Sequence, residues 1–301
     1  MVDIALLGCG GMMPLPKRFL TSMLARLNGR FVLIDCGEGT QVTLKMLGWG
    51  FKNIDAIMFT HFHADHIAGL PGLLLTIGNS GRTEPLTLIG PKGLEAVVMG
   101  LTVIAREIPF SLEFIEMEGP SEFDISGFKI KSLPVEHRTT CYAYTLEVSR
   151  PGKFDLDKAA ALGIPKNKWS FLQRGDSVEF EGQVYTPDMV MGEGRKGIKI
   201  AYCTDTRPVN ALPDFVRDSD LFICEGIYGE DEKIDKAKEY KHMLFSEAAG
   251  IAKAASVGQM WLTHYSPSLT DPAEFLHVAT DIFPNTHLGY DRKYETVRFE
   301  D

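Results

Sequence analysis

One short motif limits what this chain can fold into more than any other feature of its sequence. Residues His61–His66 have the sequence HFHADH and directly follow Ile54–Thr60, an apolar run that predicts a short buried strand. His61 and His63 are two residues apart, so at the end of an extended segment their side chains point to the same side. Four polar groups at the end of a buried strand are costly to bury without a partner. We therefore interpret the motif as the ligand loop of a metal centre.

One loop cannot complete such a centre, because the remaining ligands of each ion must come from elsewhere in the chain. The motif offers two imidazoles to one ion, and a carboxylate with a third imidazole to a second ion. His137, Asp205 and His264 each follow a predicted apolar strand, which makes them the candidates for the missing ligands. A carboxylate can bridge two ions, so Asp205 is the natural shared ligand. Imidazole and carboxylate groups suit Zn²⁺, although Mn²⁺ and Fe²⁺ accept the same ligands.

The chain is acidic overall, but one segment is basic. The 301 residues include 40 acidic and 31 basic side chains, and this balance argues against a broadly basic protein that coats nucleic acid. The segment Arg150–Arg174 has six basic and only two acidic residues, and its glycines and prolines are typical of a protruding insertion. Two interpretations stay open at this point, a solvated loop and a basic patch that binds an acidic partner.

The cysteines and the apolar runs indicate the compartment. Five cysteines are widely spaced and form no CxxC motif, which argues against a disulfide framework or a thiolate zinc site and favours a reducing cytoplasm. No run of about 18 apolar residues exists, so we expect no membrane span. The first residues lack a basic region, so we expect no secretory signal.

The chain alternates β-branched runs with glycine-rich turns and helical segments, which is typical of an α/β protein. We predict a helix that Ser246 caps at its start. The predicted strands are Asp3–Gly8, Gly29–Asp35, Ile54–Thr60, Leu86–Ile89, Phe110–Ile115, Phe128–Leu133, Ala143–Val148, Ile198–Tyr202, Leu221–Cys224 and Met260–Thr263. The predicted helices are Thr40–Leu47, Gly93–Leu101 and Ser246–Ala255.

The His61–His66 motif matches the HxHxDH motif of the metallo-β-lactamase superfamily, and the chain more specifically resembles ribonuclease Z, the tRNA 3′-processing endonuclease. The resemblance extends over nearly the whole chain, in order. The segments that carry it include Leu7–Gly11, Asp35–Gln41, Gly69–Leu73, Gly81–Leu86, Pro134–His137, Thr204–Pro208, Glu247–Lys253 and Thr263–Ser266.

The resemblance implies one domain over residues 1–301, a four-layer αββα sandwich with an arm inserted at 150–196. It also implies two Zn²⁺ ions, which would generate hydroxide from water at neutral pH. His61, His63 and His137 would bind one ion, Asp65, His66 and His264 the other, and Asp205 both.

The resemblance further assigns catalytic and substrate-binding roles. Asp65 would orient or deprotonate the attacking water, and His242, supported by Glu225, would protonate the leaving ribose oxygen. The partner would be RNA, most specifically precursor tRNA, and the enzyme would be a cytoplasmic homodimer in which the arm presents the tRNA. The substrate-binding candidates on the arm are Lys153, Lys158, Lys166, Lys168 and Arg174.

Two stretches depart from the ribonuclease Z pattern, and they leave alternatives open. Residues 224–227 are Cys-Glu-Gly-Ile instead of His-Glu-Ala-Thr, and residues 242–244 are His-Met-Leu instead of His-Ser-Thr. One alternative is therefore a hydrolase of the same fold that acts on small phosphodiesters, cyclic nucleotides or another ester. Another is a non-catalytic relative that binds metal or RNA.

Overall fold

The computed structural model describes residues 1–105 and 107–300. Within these residues the backbone forms sixteen strands. They are β1 (Val2–Gly8), β2 (Ser22–Leu27), β3 (Arg30–Ile34), β4 (Ile54–Met58), β5 (Leu86–Pro91), β6 (Leu112–Met117), β7 (Glu122–Ile125), β8 (Phe128–Val135), β9 (Cys141–Arg150), β10 (Val178–Phe180), β11 (Gln183–Tyr185), β12 (Arg195–Cys203), β13 (Leu221–Glu225), β14 (Gln259–Thr263), β15 (Thr286–Leu288) and β16 (Tyr294–Val297).

The same residues form eleven α-helices and three short 3₁₀ helices, the latter at Thr102–Ile104, Asp231–Lys233 and Pro272–Phe275. The α-helices are α1 (Thr40–Leu47), α2 (Ala64–Ile67), α3 (Leu70–Asn79), α4 (Leu94–Leu101), α5 (Leu156–Ala161), α6 (Lys166–Gln173), α7 (Pro187–Val190), α8 (Leu212–Val216), α9 (Ile234–Tyr240), α10 (Phe245–Ala254) and α11 (Leu276–Thr280). No helix in the described part of the chain is both long enough and apolar enough to span a membrane.

The chain divides into two compact units. The first consists of Met1–Glu147 and Lys199–Arg298, and the second of Val148–Ile198 with Phe299 and Glu300. The second unit has the short hairpin β10–β11, helices α5 to α7, and a small apolar core of its own. That core consists of Ala159, Ile164, Leu172, Val178, Tyr185 and Val190.

Two seven-stranded sheets build the first unit. Their strand orders are β16-β1-β2-β3-β4-β5-β6 and β15-β14-β13-β12-β9-β8-β7. Strands β3 to β6 are parallel to one another, and so are β12 to β15. The carboxyl ends of parallel strands lie at one edge of a sheet, where ligand sites form. This topology brings together the loops that follow β4, β12, β13 and β14.

Helices cover the outer faces of both sheets. Helices α1, α3 and α4 share an apolar core with the first sheet, and α8, α10 and α11 share one with the second. The two sheets are joined directly, because the Tyr144 hydroxyl donates a hydrogen bond to the carbonyl of Phe59 over 2.7 Å. The Tyr142 N–H donates to the Thr60 carbonyl over 3.1 Å. The predicted four-layer αββα sandwich is therefore confirmed.

Every predicted strand and helix is present, with ends shifted by a few residues, but the predicted helix cap is wrong. Helix α10 begins at Phe245 after Leu244, so Ser246 lies inside the first turn. The Leu244 N–H donates to the Glu247 carboxylate over 3.0 Å, and this contact closes the helix start instead. Helix α3 has no predicted counterpart, because Pro71 and Gly72 in its first turn are typical of a turn.

Candidate metal centre

Seven polar side chains come together at the carboxyl ends of the strands. They form two groups, each with its ligand atoms within 4.8 Å of one another. The first group is His61, His63, His137 and Asp205, and the second is Asp65, His66 and His264. These are the seven ligand candidates of the sequence analysis, so the structure brings all of them to one place.

The two oxygens of Asp205 face different groups. Its Oδ2 lies 3.7 Å from Nε2 of both His61 and His137. Its Oδ1 lies 3.3 Å from Nε2 of His66 and 3.1 Å from Nε2 of His264. A carboxylate placed in this way between two sets of imidazoles has the arrangement expected of a bridging ligand.

The backbone turns sharply at the strand ends to produce this arrangement. Asp205 and His264 both have left-handed backbone conformations, with φ of 38° and 57°. Such conformations are uncommon for residues other than glycine, and they concentrate at functional sites. They occur just after β12 and β14, where both side chains enter the site.

Unpaired buried atoms test whether the site fits a cation. Among the described residues, His61 Nε2 and Asp205 Oδ1 are buried without a hydrogen-bond partner. Burying a nitrogen or oxygen lone pair costs free energy when no hydrogen-bond donor faces it, unless the lone pair binds a cation. Nitrogen and oxygen donors in this number are the ligands that zinc prefers. The residues present therefore fit divalent metal ions.

The electrostatics of the site favour the same conclusion. Burial lowers the pKa of His61 well below its ordinary value, and burial lowers the pKa of His137 to about 4, so both imidazoles are neutral and free to coordinate. Burial alone would raise the pKa of Asp205, but His264, His66 and His61 hold it well below its ordinary value. Burial alone would lower the pKa of His66, but the carboxylates of Asp205, Asp35 and Asp65 raise it well above its ordinary value. The site thus combines an ionised carboxylate with two neutral imidazoles, and the His66 imidazole has to release a proton when a metal ion binds.

A further carboxylate orients one of these imidazoles. Asp35 Oδ2 lies 2.8 Å from Nδ1 of His66, and both residues are buried. Asp35 in turn accepts a hydrogen bond of 2.8 Å from the Thr60 N–H and one from the Thr60 hydroxyl. A carboxylate behind a ligating histidine fixes its tautomer and increases its basicity. Asp35 is not among the predicted site residues, although it follows a buried strand as the other candidates do.

Close backbone approach around the site requires two glycines. A Cβ atom on Gly11 would lie 2.7 Å from the His264 ring, and one on Gly37 would lie 2.4 Å from the carbonyl oxygen of Asp65. The glycine-rich loop also positions Met12, whose N–H donates to Oδ2 of Asp65 over 2.7 Å. This contact holds the Asp65 carboxylate from the side of the loop.

His242 lies beside the two groups and is paired with Glu225. Its Nδ1 lies 2.9 Å from Oε2 of Glu225, the last residue of β13. Its ring centroid lies 5.2 Å from that of His137 and 5.5 Å from that of His264. Burial lowers the pKa of His242, but the Glu225 carboxylate outweighs this effect and raises the pKa to about 9.

A salt bridge holds the backbone of the His242 loop. The Arg207 guanidinium donates to the carbonyl of His242 and pairs with the Glu247 carboxylate. The same carboxylate accepts the N–H of Leu244, so both ends of the loop are fixed. Arg207 and Glu247 both lie in segments that carry the family resemblance, but no local pattern marks two residues that are forty positions apart as partners.

The residues that depart from the family pattern are accommodated by packing. A Cβ atom on Gly226 would lie 2.6 Å from the Phe245 ring, so only glycine fits beside this phenylalanine. Met243 and Leu244 are buried in apolar cores, where the family has hydroxyl side chains. Ile227 reaches the wall of the cleft and is the one replacement that changes its surface.

A cleft of about 480 Å³ opens onto the candidate metal centre. The lining includes His63, Asp65, His137, Asp205, His242 and His264, together with the side chains of Met12, Met13, Arg138, Ile227, Tyr228, Lys236, Tyr240, Ser266, Pro267 and Ser268. Substrate can therefore reach both the ligand candidates and His242 from one opening.

The basic residues of the predicted arm belong to the second unit, and the seven ligand candidates and the His242–Glu225 pair belong to the first. Lys153, Lys158, Lys166 and Arg174 are exposed and Lys168 is half-buried. Residues 148–198 contain eight basic and seven acidic side chains, because five acidic residues between Asp176 and Glu193 follow the basic segment. The basic character is thus confined to the half of the unit that contains α5 and α6.

The two sheets, their outer helices and the His/Asp cluster define a metal-dependent hydrolase of the metallo-β-lactamase fold. A protein named Ribonuclease Z from Clostridium acetobutylicum is 56% identical to this chain over 100% of this chain and 99% of its own length. The chain therefore belongs to the ribonuclease Z family, as its sequence motifs predict.

Solved structures agree with this assignment at the level of the fold. The short form of human tRNase Z has a TM-score of 0.70 at 23% identity, with 99% of this chain and 100% of that chain covered. The metallo-β-lactamase fold protein YhfI from Bacillus subtilis has a TM-score of 0.71 at 19% identity, with 98% and 100% covered.

Residues 2–158 also match the family model described as Anti-Pycsar protein Apyc1. The N-terminal half of the chain thus belongs to this family as well. The match contains the His61–His66 motif and His137, but it ends before Asp205, His242 and His264. The full-length relatives named Ribonuclease Z cover all of these positions.

Proposed function

We propose that this enzyme cleaves precursor tRNA at the 3′ end of the mature sequence by hydrolysis of one phosphodiester. The observation that carries the proposal is the position of the His242–Glu225 pair beside two groups of ligand candidates, with one oxygen of Asp205 facing each group. RNA cleavage needs a protonated group at the leaving ribose oxygen, and His242 supplies one beside the centre.

We assign Zn²⁺ to the centre, with His61, His63 and His137 for one ion, Asp65, His66 and His264 for the other, and Asp205 for both. When bound, the two ions supply Lewis acidity and a nucleophile generated from water at neutral pH. Asp65 orients the attacking water; because neighbouring histidines hold its pKa below the usual range despite burial, it is a weak proton acceptor.

The proton balance follows from the His242 geometry. Nδ1 of His242 is held by Glu225, so Nε2 carries the proton that is transferred. The attacking water loses one proton to the solvent and its oxygen bonds to phosphorus, the bond between phosphorus and the 3′ oxygen breaks, and that oxygen takes the proton from Nε2. The solvent then returns a proton to His242. The products are a 3′-hydroxyl on the upstream RNA and a 5′-phosphate on the downstream fragment. General acid catalysis of this kind contributes about 10²–10⁴-fold to the rate.

We propose that residues 150–196 form the arm that binds the tRNA. Exposed lysines on and beside α5 and α6 support this role, since phosphate contacts dominate the affinity of RNA-binding surfaces. The acidic half of the same unit confines the contact to α5 and α6. A Lys158→Glu/Lys166→Glu variant is expected to lose tRNA affinity while the metal content stays unchanged.

A homodimer and a cytoplasmic location complete the proposal. Val42 and Met46 on α1 are 45% and 58% exposed, and such apolar side chains are suited to a subunit interface. Light scattering tests the dimer, and a monomer that still cuts precursor tRNA would contradict it.

All five cysteines are unpaired and buried, as expected in a reducing compartment.

Hydrolysis of small phosphodiesters is the second candidate, because the apolar Ile227 replaces a family threonine at the cleft wall. Zinc-loaded protein should be given precursor tRNA and methyl 4-nitrophenyl phosphate in parallel, with His63→Ala as the inactive control. Cleavage of the tRNA that His63→Ala abolishes supports the proposed function. Turnover of the small diester alone would favour the second candidate.

A further inference from the structure

Arg138 and Tyr240 form a flat, positively charged surface on the wall of the cleft. The guanidinium carbon of Arg138 lies 4.7 Å from the centroid of the Tyr240 ring, and both residues line the cleft. Both are exposed, Tyr240 to 40%. Within the described residues, no carboxylate lies at ion-pair distance from Arg138, so its charge is available to a ligand.

The surface is held rigidly to the catalytic residues. Arg138 directly follows His137 and donates to the carbonyl of Glu239 over 3.2 Å. Lys241 has a left-handed backbone, with φ of 63°, and its carbonyl lies 3.1 Å from Nδ1 of His137. The Lys241 ammonium also pairs with the Glu136 carboxylate. The two segments that carry Arg138 and Tyr240 are therefore joined at three points.

The chemistry of this surface matches a nucleotide. Aromatic rings and guanidinium planes stack on unpaired bases, and arginine binds phosphate oxygens with two parallel hydrogen bonds. Lys236, on the same helix as Tyr240, lines the same cleft and adds a second cation. Tyr240 thus offers a contact to the base of a bound nucleotide, and Arg138 offers one to its phosphate.

The position of the surface indicates which nucleotide it would contact. Tyr240 precedes His242 by two residues, and in the proposed function His242 protonates the 3′ oxygen of the upstream nucleotide. We propose that Arg138 and Tyr240 are the positioning platform on which the base immediately upstream of the scissile phosphate stacks. This inference rests on the proposed function and names the residues that hold the upstream nucleotide in the cleft.

The test combines protein variants with precursor tRNAs that lack one base. Tyr240→Leu is expected to raise KM roughly tenfold and to change kcat less than about threefold, because stacking of one base is worth about that factor. Tyr240→Phe should behave as wild type, since it keeps the ring. Arg138→Lys keeps the charge but loses the plane and should raise KM by about threefold.

Precursor tRNAs that lack one base test which base stacks on Tyr240. An abasic site at the upstream nucleotide should raise the KM of the wild-type enzyme by the same factor as Tyr240→Leu, and the two changes together should cost no more than either alone. An abasic site at the downstream nucleotide should leave the effect of Tyr240→Leu intact. Because the wild-type enzyme itself reports on the abasic RNA, the test does not depend on the stability of a variant.

A matched control is Tyr290→Leu, a tyrosine that is 61% exposed and does not line the cleft. It should keep the wild-type KM. Equal KM values for wild type and Tyr240→Leu would overturn the platform while the wild-type enzyme still cuts precursor tRNA. Coupling to the downstream base instead would also overturn the assignment. Failure of the wild-type enzyme to cut precursor tRNA would overturn the proposed function itself.

Discussion

Nδ1 of His242 lies 2.9 Å from the carboxylate oxygen Oε2 of Glu225. The second oxygen of this fully buried carboxylate accepts the N–H of Thr206, so the carboxylate cannot rotate away. Burial alone would lower the pKa of His242, and the carboxylate raises it to about 9. The imidazole therefore carries a proton at neutral pH, which is the form that a general acid needs.

The first prediction concerns Glu225→Gln. The variant lacks the charge that raises the pKa of His242, so burial should bring this pKa below its ordinary value. Activity that needs the protonated imidazole is present below its pKa and is lost as the pH rises through it. The alkaline limb of the kcat profile should therefore move to lower pH, and kcat at pH 8 should fall by about 10²-fold or more.

The control for this prediction is Glu118→Gln, an exposed glutamate that pairs with Lys92 on the surface. Its pH profile should match that of the wild-type enzyme. An unchanged alkaline limb in Glu225→Gln would show that His242 does not depend on this carboxylate. Metal content should be measured for both variants, so that a loss of ions is not mistaken for a loss of the acid.

The second prediction concerns the carboxylate behind His66. Asp35→Asn keeps the shape of the side chain but removes the charge that lies 2.8 Å from Nδ1 of His66. Loss of such a partner typically weakens metal binding by about 10–100-fold. Competition with a chromophoric zinc chelator measures the change. Asp124→Asn, which alters an exposed residue of β7, should bind zinc as the wild type does, and equal affinity of the two variants would contradict the prediction.

The third prediction concerns removal of the metal. Without cations, the lone pairs of the buried atoms His61 Nε2 and Asp205 Oδ1 stay unpaired, so the folded state should lose stability. Ions that bind only the folded state contribute about 4 kcal/mol when present at a thousand times their Kd. Calorimetry should show a lower Tm after chelation and recovery with Zn²⁺. Asp205→Asn should respond much less, and an equal response would argue against its bridging position.

The sequence predicts the fold well where the signal is local. Apolar β-branched runs mark the strands, and the carboxyl ends of parallel strands meet at one edge, which explains why Asp205 and His264 lie near each other. His137 follows β8, which is antiparallel to both β7 and β9, so this rule does not cover it. Composition and order along the chain are sufficient for these inferences. The family resemblance adds the pairing of His242 with Glu225, and the structure places these two side chains in contact.

The remaining contacts depend on geometry that no local pattern encodes. Asp35 reaches His66 because two neighbouring strands place residues 31 positions apart side by side. The carbonyl of Lys241 reaches His137 only because Lys241 adopts a left-handed conformation after α9. The platform of Arg138 and Tyr240 arises from the same junction, so it too is visible only in three dimensions.

The fourth prediction concerns the departure from the family pattern beside Glu225. In Gly226→Ala the new methyl group would lie 2.6 Å from the Phe245 ring, which is fully buried and cannot move freely. Such overpacking costs about 1–3 kcal/mol, and denaturant unfolding should show this loss of stability. In a Phe245→Leu background the ring is absent, so the same substitution should cost little, and the double-mutant cycle isolates the contact.

Gly250→Ala is the matched control for this substitution. Gly250 lies inside α10, and a Cβ atom there would have no neighbour within 4 Å. Alanine has the higher helix propensity, so this variant should gain about 0.5–1 kcal/mol. Opposite signs for the two Gly→Ala changes would show that the Phe245 ring, rather than a general intolerance of the Cβ atom, requires glycine at 226. Equal stability of Gly226→Ala and the wild type would mean that the ring can shift, and a family alanine would then be compatible with this chain.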